Sequence, residues 1–410
     1  MVIATAFRKA GNRARAKAPF CLILFLLVPL SGCVSIAPRN PLPADQVEAA
    51  GIAGIPEARF WGDEISPFLE REMNTMTREE IKNAFPALYG QPHNYLALSG
   101  GGARGAFGAG LLAGWTETGT RPEFQMVTGI STGALIAPFA FLGPEYDDAL
   151  RTVYTSITTS DIVNKRNIFS LLTADAAADT EPLKELLKQY VDREMIEAIA
   201  REHRRGRGLY IGTTDADYMR PRIWDIGAIA ASGVKDAGAL VRKVMIASAS
   251  IPGAMPPVRF EVTANDRVYD EIHIDGGTAT QVFVYPSATD WRRVLKLLDV
   301  PGTPNVYIIR NSSLKPNRDV VELKVLPLSA RSISSLIRTQ GIGDLYTIYA
   351  LTQRDGIDYN LAYIGDEFTR QSTEPFDMPY MKELYKFGFD LARQGYPWDD
   401  KPPGWETRKP

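Results

Sequence analysis

"LALSGGGARGAFGAG", residues 96–110, is the stretch on which the fold turns. Gly100, Gly102 and Gly105 spell G-x-G-x-x-G directly after an apolar run, the spacing of a dinucleotide-binding loop. Glycines in that position also suit any other developing negative charge, because no Cβ keeps it from their N–H groups. Outward from this stretch, strand and helix patterns alternate. "NYLALS" reads as a short apolar strand, "ARGAFGAGLLAGWTETG" as a helix ending at Gly119, "FQMVTG" as a second strand and "STGALIAPFAFLG" as a second helix. Further strands are expected at "GLYIGTTDAD", "RIWDIG", "YDEIHI" and "NVYIIRN", with a helix around "GALVRKVMIASAS" between them. Two more helices are expected over roughly 330–353 and 378–395. Short-looped alternation of this kind predicts an α/β fold with a mostly parallel central sheet flanked by helices on both faces.

The second strand runs into "TGISTG", where Gly129, Ser131 and Gly133 fit G-x-S-x-G. Glycines on both sides suit the sharp strand-to-helix turn of a nucleophile elbow. The helix that follows aims its free N–H groups and positive dipole end at the serine. A tight structural turn would use the same glycines.

A serine nucleophile needs a base. The chain holds three histidines, His93, His203 and His273, and a third motif, "IHIDGGTAT". In it Asp275 closes an apolar strand ahead of Gly276 and Gly277, a place where α/β folds gather chemistry. No histidine follows Asp275, so a Ser…Asp…His order cannot be assembled. What remains is a Ser–Asp dyad or a dyad with histidine. Aspartate is the weaker base by roughly 3.5 kcal/mol of proton-transfer driving force, part of which a dry cleft restores by raising the carboxyl pKa. His273 shares strand parity with Asp275 and is the alternative base. His203 lies in the basic run "REHRRGRG" and His93 precedes the first strand, and neither is favoured.

Acyl transfer through serine also needs donors for the oxyanion, which gives Gly100, Gly101 and Gly102 a use. A dinucleotide site would want an acidic residue closing the second strand, and that strand closes instead on Thr128-Gly129 and Ser131.

The whole chain of 410 residues is 45% hydrophobic with a formal net charge of −2, which gives no basic excess for nucleic acid. Its first 33 residues differ from the rest. Arg8, Lys9, Arg13, Arg15 and Lys17 precede "APFCLILFLLVPL" and then "SGC", the layout of an export signal. "LSGC" resembles a bacterial lipobox with Cys33 as the lipidated residue, which would place the protein in the bacterial cell envelope, lipid-anchored and facing the periplasm from the outer membrane. Removal of the signal leaves 41 basic against 48 acidic residues and Cys33 as the single thiol, so no disulfide forms and a cysteine nucleophile is excluded. Four segments are expected: a signal over 1–33, a Pro/Ala/Gly-rich tether and helical region over 34–90, a catalytic domain over 91–300, and a C-terminal strand and helices packing on it over 301–410. Within the second, Thr77 and Glu80 are spaced as a capping box.

Taken together, "SGGGARGAFGAG", "GISTG", "ASASIPGAMPPV" (247–258) and "DGG" occur in the order of the patatin-like phospholipase family, and the chain resembles that family over roughly residues 92–290, more weakly around "LYKFGFDLARQG". The resemblance implies a patatin-like α/β/α sandwich and a lipid acyl hydrolase, with Ser131 as nucleophile and Asp275 as base. It also implies an oxyanion loop of Gly100, Gly101, Gly102 and Gly105 braced by Arg104, a lipid or acyl-ester substrate, and no metal or other cofactor. Gln281 stands where the family often has Asn. A small-ester hydrolase or thioesterase, and a non-catalytic lipid-binding envelope lipoprotein, are the alternatives.

Overall fold

The structure is a computed structural model that describes residues 39–165, 178–316, 318 and 320–405. The expected signal and Cys33 lie outside the described residues. From Arg39 onward the chain forms one compact unit. Its strands are β1 (Arg59–Trp61), β2 (Asn94–Leu98), β3 (Met126–Ile130), β4 (Asn164–Lys165), β5 (Ala178–Asp179), β6 (Gly208–Asp215), β7 (Arg220–Asp225), β8 (Val258–Ala264), β9 (Arg267–Asp275), β10 (Asn305–Ser313) and β11 (Asp358–Ile364).

Nine of these build one sheet in the order β1-β7-β6-β3-β2-β10-β11, with β9 joined to β6 and β8 joined to β9. The run β6-β3-β2-β10-β11 is parallel throughout. β1, β7, β8 and β9 add antiparallel pairings at the β6 end, so the sheet is mixed, with a parallel run that reaches the edge strand β11. β4 and β5 form a separate short ladder.

Strand alternation sorts the core into two layers. Leu96, Leu98, Val127, Leu209, Ile211 and Ile309 face the helices Gly105–Glu117, Thr132–Leu142, Ala237–Ser248 and Met378–Arg393. Tyr95, Ala97, Met126, Val306 and Ile308 face the helices Arg78–Ala84 and Trp291–Leu297 and the long helix Val325–Asp355. The helices Gly105–Glu117 and Met378–Arg393 cross so closely that a Cβ at Gly110 or Gly114 would strike the carbonyls of Tyr385 or Phe389. The capping box at Thr77 and Glu80 is formed.

One expectation is corrected. Residues 39–60 pack on the fold and are not a tether. β1 pairs with β7, Arg39 bonds Asp270 at 2.9 Å, and Leu42 and Val47 are buried against Val262 and Tyr269. Single apolar residues docking on a sheet edge leave no period to read, which is why the stretch resembles a linker in sequence.

Candidate active site

β3 delivers Ser131 into a backbone conformation with φ 54° and ψ −122°, before the helix Thr132–Leu142 begins. A non-glycine residue held there is strained by about 1–3 kcal/mol, so the surroundings must impose it. They do so by close packing. A Cβ at Gly133 would strike the Leu98 carbonyl, and one at Gly129 would lie 2.5 Å from the Gly133 carbonyl. The Ser131 N–H donates to Ser248 Oγ at 2.9 Å, and that hydroxyl donates onward to the Gly212 carbonyl at 2.6 Å.

The Ser131 hydroxyl donates to Asp275 Oδ2 at 2.7 Å. Asp275 ends β9, and its other carboxylate oxygen accepts the Gly277 N–H at 2.7 Å. Its own N–H donates to the Ser250 carbonyl at 2.9 Å. Gly276 is required beside it, because a Cβ there would strike the Gly212 carbonyl. Ser131 and Asp275 are only 7% and 6% exposed. Burial pushes the Asp275 carboxyl up to about 6, although the Ser131 hydroxyl and the Gly277 N–H both favour its charged form.

The glycine loop lies directly over the serine, since a Cβ on Gly100 would sit 3.3 Å from Ser131 Cβ. Its three leading glycines are not equivalent, in contrast to the sequence expectation. The Gly100 N–H donates to the Gln281 carbonyl at 3.2 Å and so faces away from the cleft. Among the described hydrogen bonds, the N–H groups of Gly101 and Gly102 have no protein acceptor. Gly102 has φ +58°, and a Cβ on Gly101 would strike the Asn311 carbonyl. Gly105 opens the next helix where a Cβ would strike Thr132 Oγ1. Arg104 Nε donates to the Gly101 carbonyl at 3.2 Å, across the turn.

Sequence reasoning missed two supports. Asn311 at the end of β10 donates to the Ser99 carbonyl at 2.9 Å and accepts the Gly108 N–H at 3.1 Å, tying both ends of the loop to the sheet. Ser248 is the other, and its only signal was its place in the block 247–258. Gln281, where the family often has Asn, donates to the Gly277 carbonyl at 2.5 Å, while its own N–H donates to Asp344 Oδ2.

The histidines are elsewhere. His273 hydrogen-bonds Thr213 Oγ1 at 2.8 Å and Glu271 at 3.2 Å, in a buried network with Arg59, Asp215 and Arg222. Asp215, Glu271 and His273 stand close enough to share a cation, but the Arg59 guanidinium already binds both Glu271 oxygens. His93 bonds Tyr95 and the Leu88 carbonyl at the start of β2. His203 packs against Gly227 near Asp225, half-buried instead of solvated. An apolar cavity of about 180 Å³, lined among others by Leu69, Met73, Met126 and Tyr210, also lies at the starts of the parallel strands, away from Ser131.

A buried serine on a strained turn, an acid-titrating carboxylate in contact with it and two open backbone donors beside it can together deprotonate a hydroxyl and receive an oxyanion. A family model described as patatin-like phospholipase matches residues 96–286, which contain all of these groups. No curated protein matches the chain. Among solved structures it is similar to VipD from Legionella pneumophila at 12% identity, over 74% of this chain and 66% of VipD, with a TM-score of 0.38. It is similar to the type III effector protein ExoU at 12% identity, over 74% of this chain and 53% of ExoU, with a TM-score of 0.22. The chain thus spans just under two thirds of the first and about half of the second.

Proposed function

Residues 96–286 of this chain belong to the patatin-like phospholipase family, and on that premise we propose that it cleaves acyl ester bonds of lipids through a Ser131 acyl-enzyme with Asp275 as the base. The family points to lipid hydrolase activity. The observation that carries the finer assignment is the 2.7 Å bond from the Ser131 hydroxyl to Asp275, made inside a buried elbow.

In the proposed cycle Ser131 Oγ attacks the ester carbonyl while Asp275 Oδ2 takes its proton. Negative charge then develops on the carbonyl oxygen, which the N–H groups of Gly101 and Gly102 and the first turn of the helix Thr132–Leu142 face. As the tetrahedral intermediate collapses, the ester C–O bond breaks and Asp275 returns the proton to the leaving alcohol. Water, deprotonated by the same carboxylate, attacks the acyl-enzyme, and the second collapse releases the fatty acid and returns the proton to Ser131. A carboxyl titrating near 6 is ionised at neutral pH yet more basic than an exposed aspartate, which suits both halves of the cycle.

Incubating purified protein with defined phospholipids and short soluble esters, and identifying the products, tests the substrate class. Release of free fatty acid that is lost in Ser131→Ala and in Asp275→Asn supports the cycle. Cleavage of short esters or thioesters alone would move the assignment to a small-ester hydrolase. Failure of a fluorophosphonate probe to label Ser131 would point to a non-catalytic lipid-binding protein.

We also propose that Cys33 is lipidated and anchors the chain in the bacterial envelope. The cationic stretch, short apolar run and "LSGC" support this, and among the described residues no helix is long and apolar enough to cross a membrane. Metabolic labelling with palmitate that persists in Cys33→Ser would refute it.

A further inference from the structure

The long helix Val325–Asp355 is anchored by its second half only. Leu345, Ile348 and Leu351 are buried on the sheet, and the helix ends just before β11 starts, at the beginnings of the parallel strands. Its middle meets the catalytic loops. Asp344 accepts the Gln281 N–H at 2.6 Å, and a Cβ on Gly341 would lie 3.2 Å from the Gln281 side chain, beside Gly100. From Gly341 back to Val325 is 16 residues, or about 24 Å of helix. That half therefore overshoots the edge of the sheet at which Ser131 and Asp275 sit.

The overshoot is apolar and exposed. Leu328, Ile333 and Leu336 are 41%, 50% and 70% exposed, and Val320 and Leu323 in the segment before the helix are also exposed. On the other side of the site Ile251 is exposed, one residue after the Ser250 carbonyl that holds the Asp275 N–H. These six make up more than half of the ten exposed large hydrophobic residues among the described residues, so most of the exposed apolar side chains lie on the segments that adjoin the catalytic loops. Between Leu314 and Arg338 the sequence carries five basic and two acidic residues, a net of +3 in a chain whose total is −2.

We propose that this rim docks on the surface of an anionic lipid bilayer, with the N-terminal half of the long helix entering the headgroup layer and the mouth of the site turned to the membrane. Apolar side chains among basic residues match such a surface in both respects. A second copy of the chain would bring like charges together on the same patch. Docking gives the lipid-hydrolase assignment its route of substrate entry and rests on it, because the catalytic mouth would then receive lipid without its passing through bulk water.

The test uses the full chain with Cys21→Ser and Cys33→Ser, so that no lipid anchor contributes, and with Ser131→Ala to keep vesicles intact. An environment-sensitive nitrobenzoxadiazole label on Leu336→Cys is expected to shift to the blue with phosphatidylcholine–phosphatidylglycerol vesicles, weakly with phosphatidylcholine alone, and less as salt is added. In the chain with Ser131 restored and no label, the triple variant Leu328→Ser/Ile333→Ser/Leu336→Ser is expected to lower vesicle binding and vesicle phospholipid hydrolysis about tenfold or more. Turnover of a soluble short-chain ester should be unchanged. A label indifferent to vesicles, a shift that grows with protein concentration in their absence, or a triple variant that hydrolyses vesicles normally would each overturn docking. If the parent chain cleaves no ester at all, the hydrolase assignment fails by itself, and the label on the Ser131→Ala chain still decides docking.

Discussion

Replacing Asp275 by Asn keeps the shape of a buried group and removes its titration, which makes the pH dependence of folding a direct measure of how dry the site is. The carboxyl titrates near 6 in the fold against 3.8 for an ordinary aspartate. Above pH 6 folded and unfolded chains are both ionised, and the fold bears the full desolvation of the charge. As pH falls through 6 the folded state takes up a proton that the unfolded chain does not bind until near 3.8. Relative to the variant, the native chain therefore gains stability on acidification, by about 3 kcal/mol over the whole window and about 2 kcal/mol between roughly pH 7.5 and 4.5. Urea unfolding of both proteins across that range gives the difference at each pH. Altered hydrogen bonding to Ser131 and Gly277 adds a constant offset and drops out of the slope. A stability difference that is the same at both ends, or that moves the other way, would refute the burial of this carboxyl as the cause of its raised pKa.

The same carboxyl should shape turnover. kcat/KM for a soluble ester is expected to level off above about pH 6 and to fall about tenfold per pH unit below it, since a protonated Asp275 cannot accept the serine proton; a plateau extending well below pH 5 would contradict this. Gly101→Ala places a methyl group against the Asn311 carbonyl and displaces an open donor, so kcat should drop about 10²–10³-fold with KM little changed. Asn311→Ala leaves the buried Ser99 carbonyl unpaired and removes the second acceptor of the Gly108 N–H, at about 1–3 kcal/mol in all, measurable by denaturant unfolding.

The centre of the fold was legible because its signals are local. Glycines at 129 and 133 around a serine, and a capping box at Thr77 and Glu80, each specify a turn within a few residues, and the β/α order from 94 to 142 follows from apolar periodicity. The periphery was not. β1 is an edge strand whose partner β7 is far away in sequence, and the antiparallel additions on either side of β6 leave no trace in the order of elements. In the candidate site, the motifs singled out Ser131 and Asp275, which the fold brings to 2.7 Å, but the orientation of Gly100 was not legible, because it depends on the Gln281 carbonyl. Asn311 reaches Ser99 across 212 residues, a pairing that no spacing rule reveals. Strand parity placed His273 and Asp275 on one side correctly as a period, yet β9 ends at Asp275, and its carboxylate turns to Gly277 while His273 stays packed between Trp224 and Phe260.

Ser131 carries a backbone strain that can be separated from its hydroxyl by comparing two inactive variants. Ser131→Ala removes the hydroxyl and keeps the Cβ, so φ 54° with ψ −122° stays unfavourable. Ser131→Gly removes both, and glycine enters that region without penalty. At an unstrained position glycine is the worse residue by roughly 0.5–1 kcal/mol, through the entropy of its unfolded state. At this elbow relief of about 1–3 kcal/mol opposes that loss, so the glycine variant should equal or exceed the alanine variant in stability, by up to about 2 kcal/mol. Neither should hydrolyse ester, which keeps the comparison free of substrate effects. A glycine variant less stable than alanine by the ordinary 0.5–1 kcal/mol or so would show that the elbow stores no strain, and that the close packing of Gly129 and Gly133 is a consequence of the turn and not what enforces it.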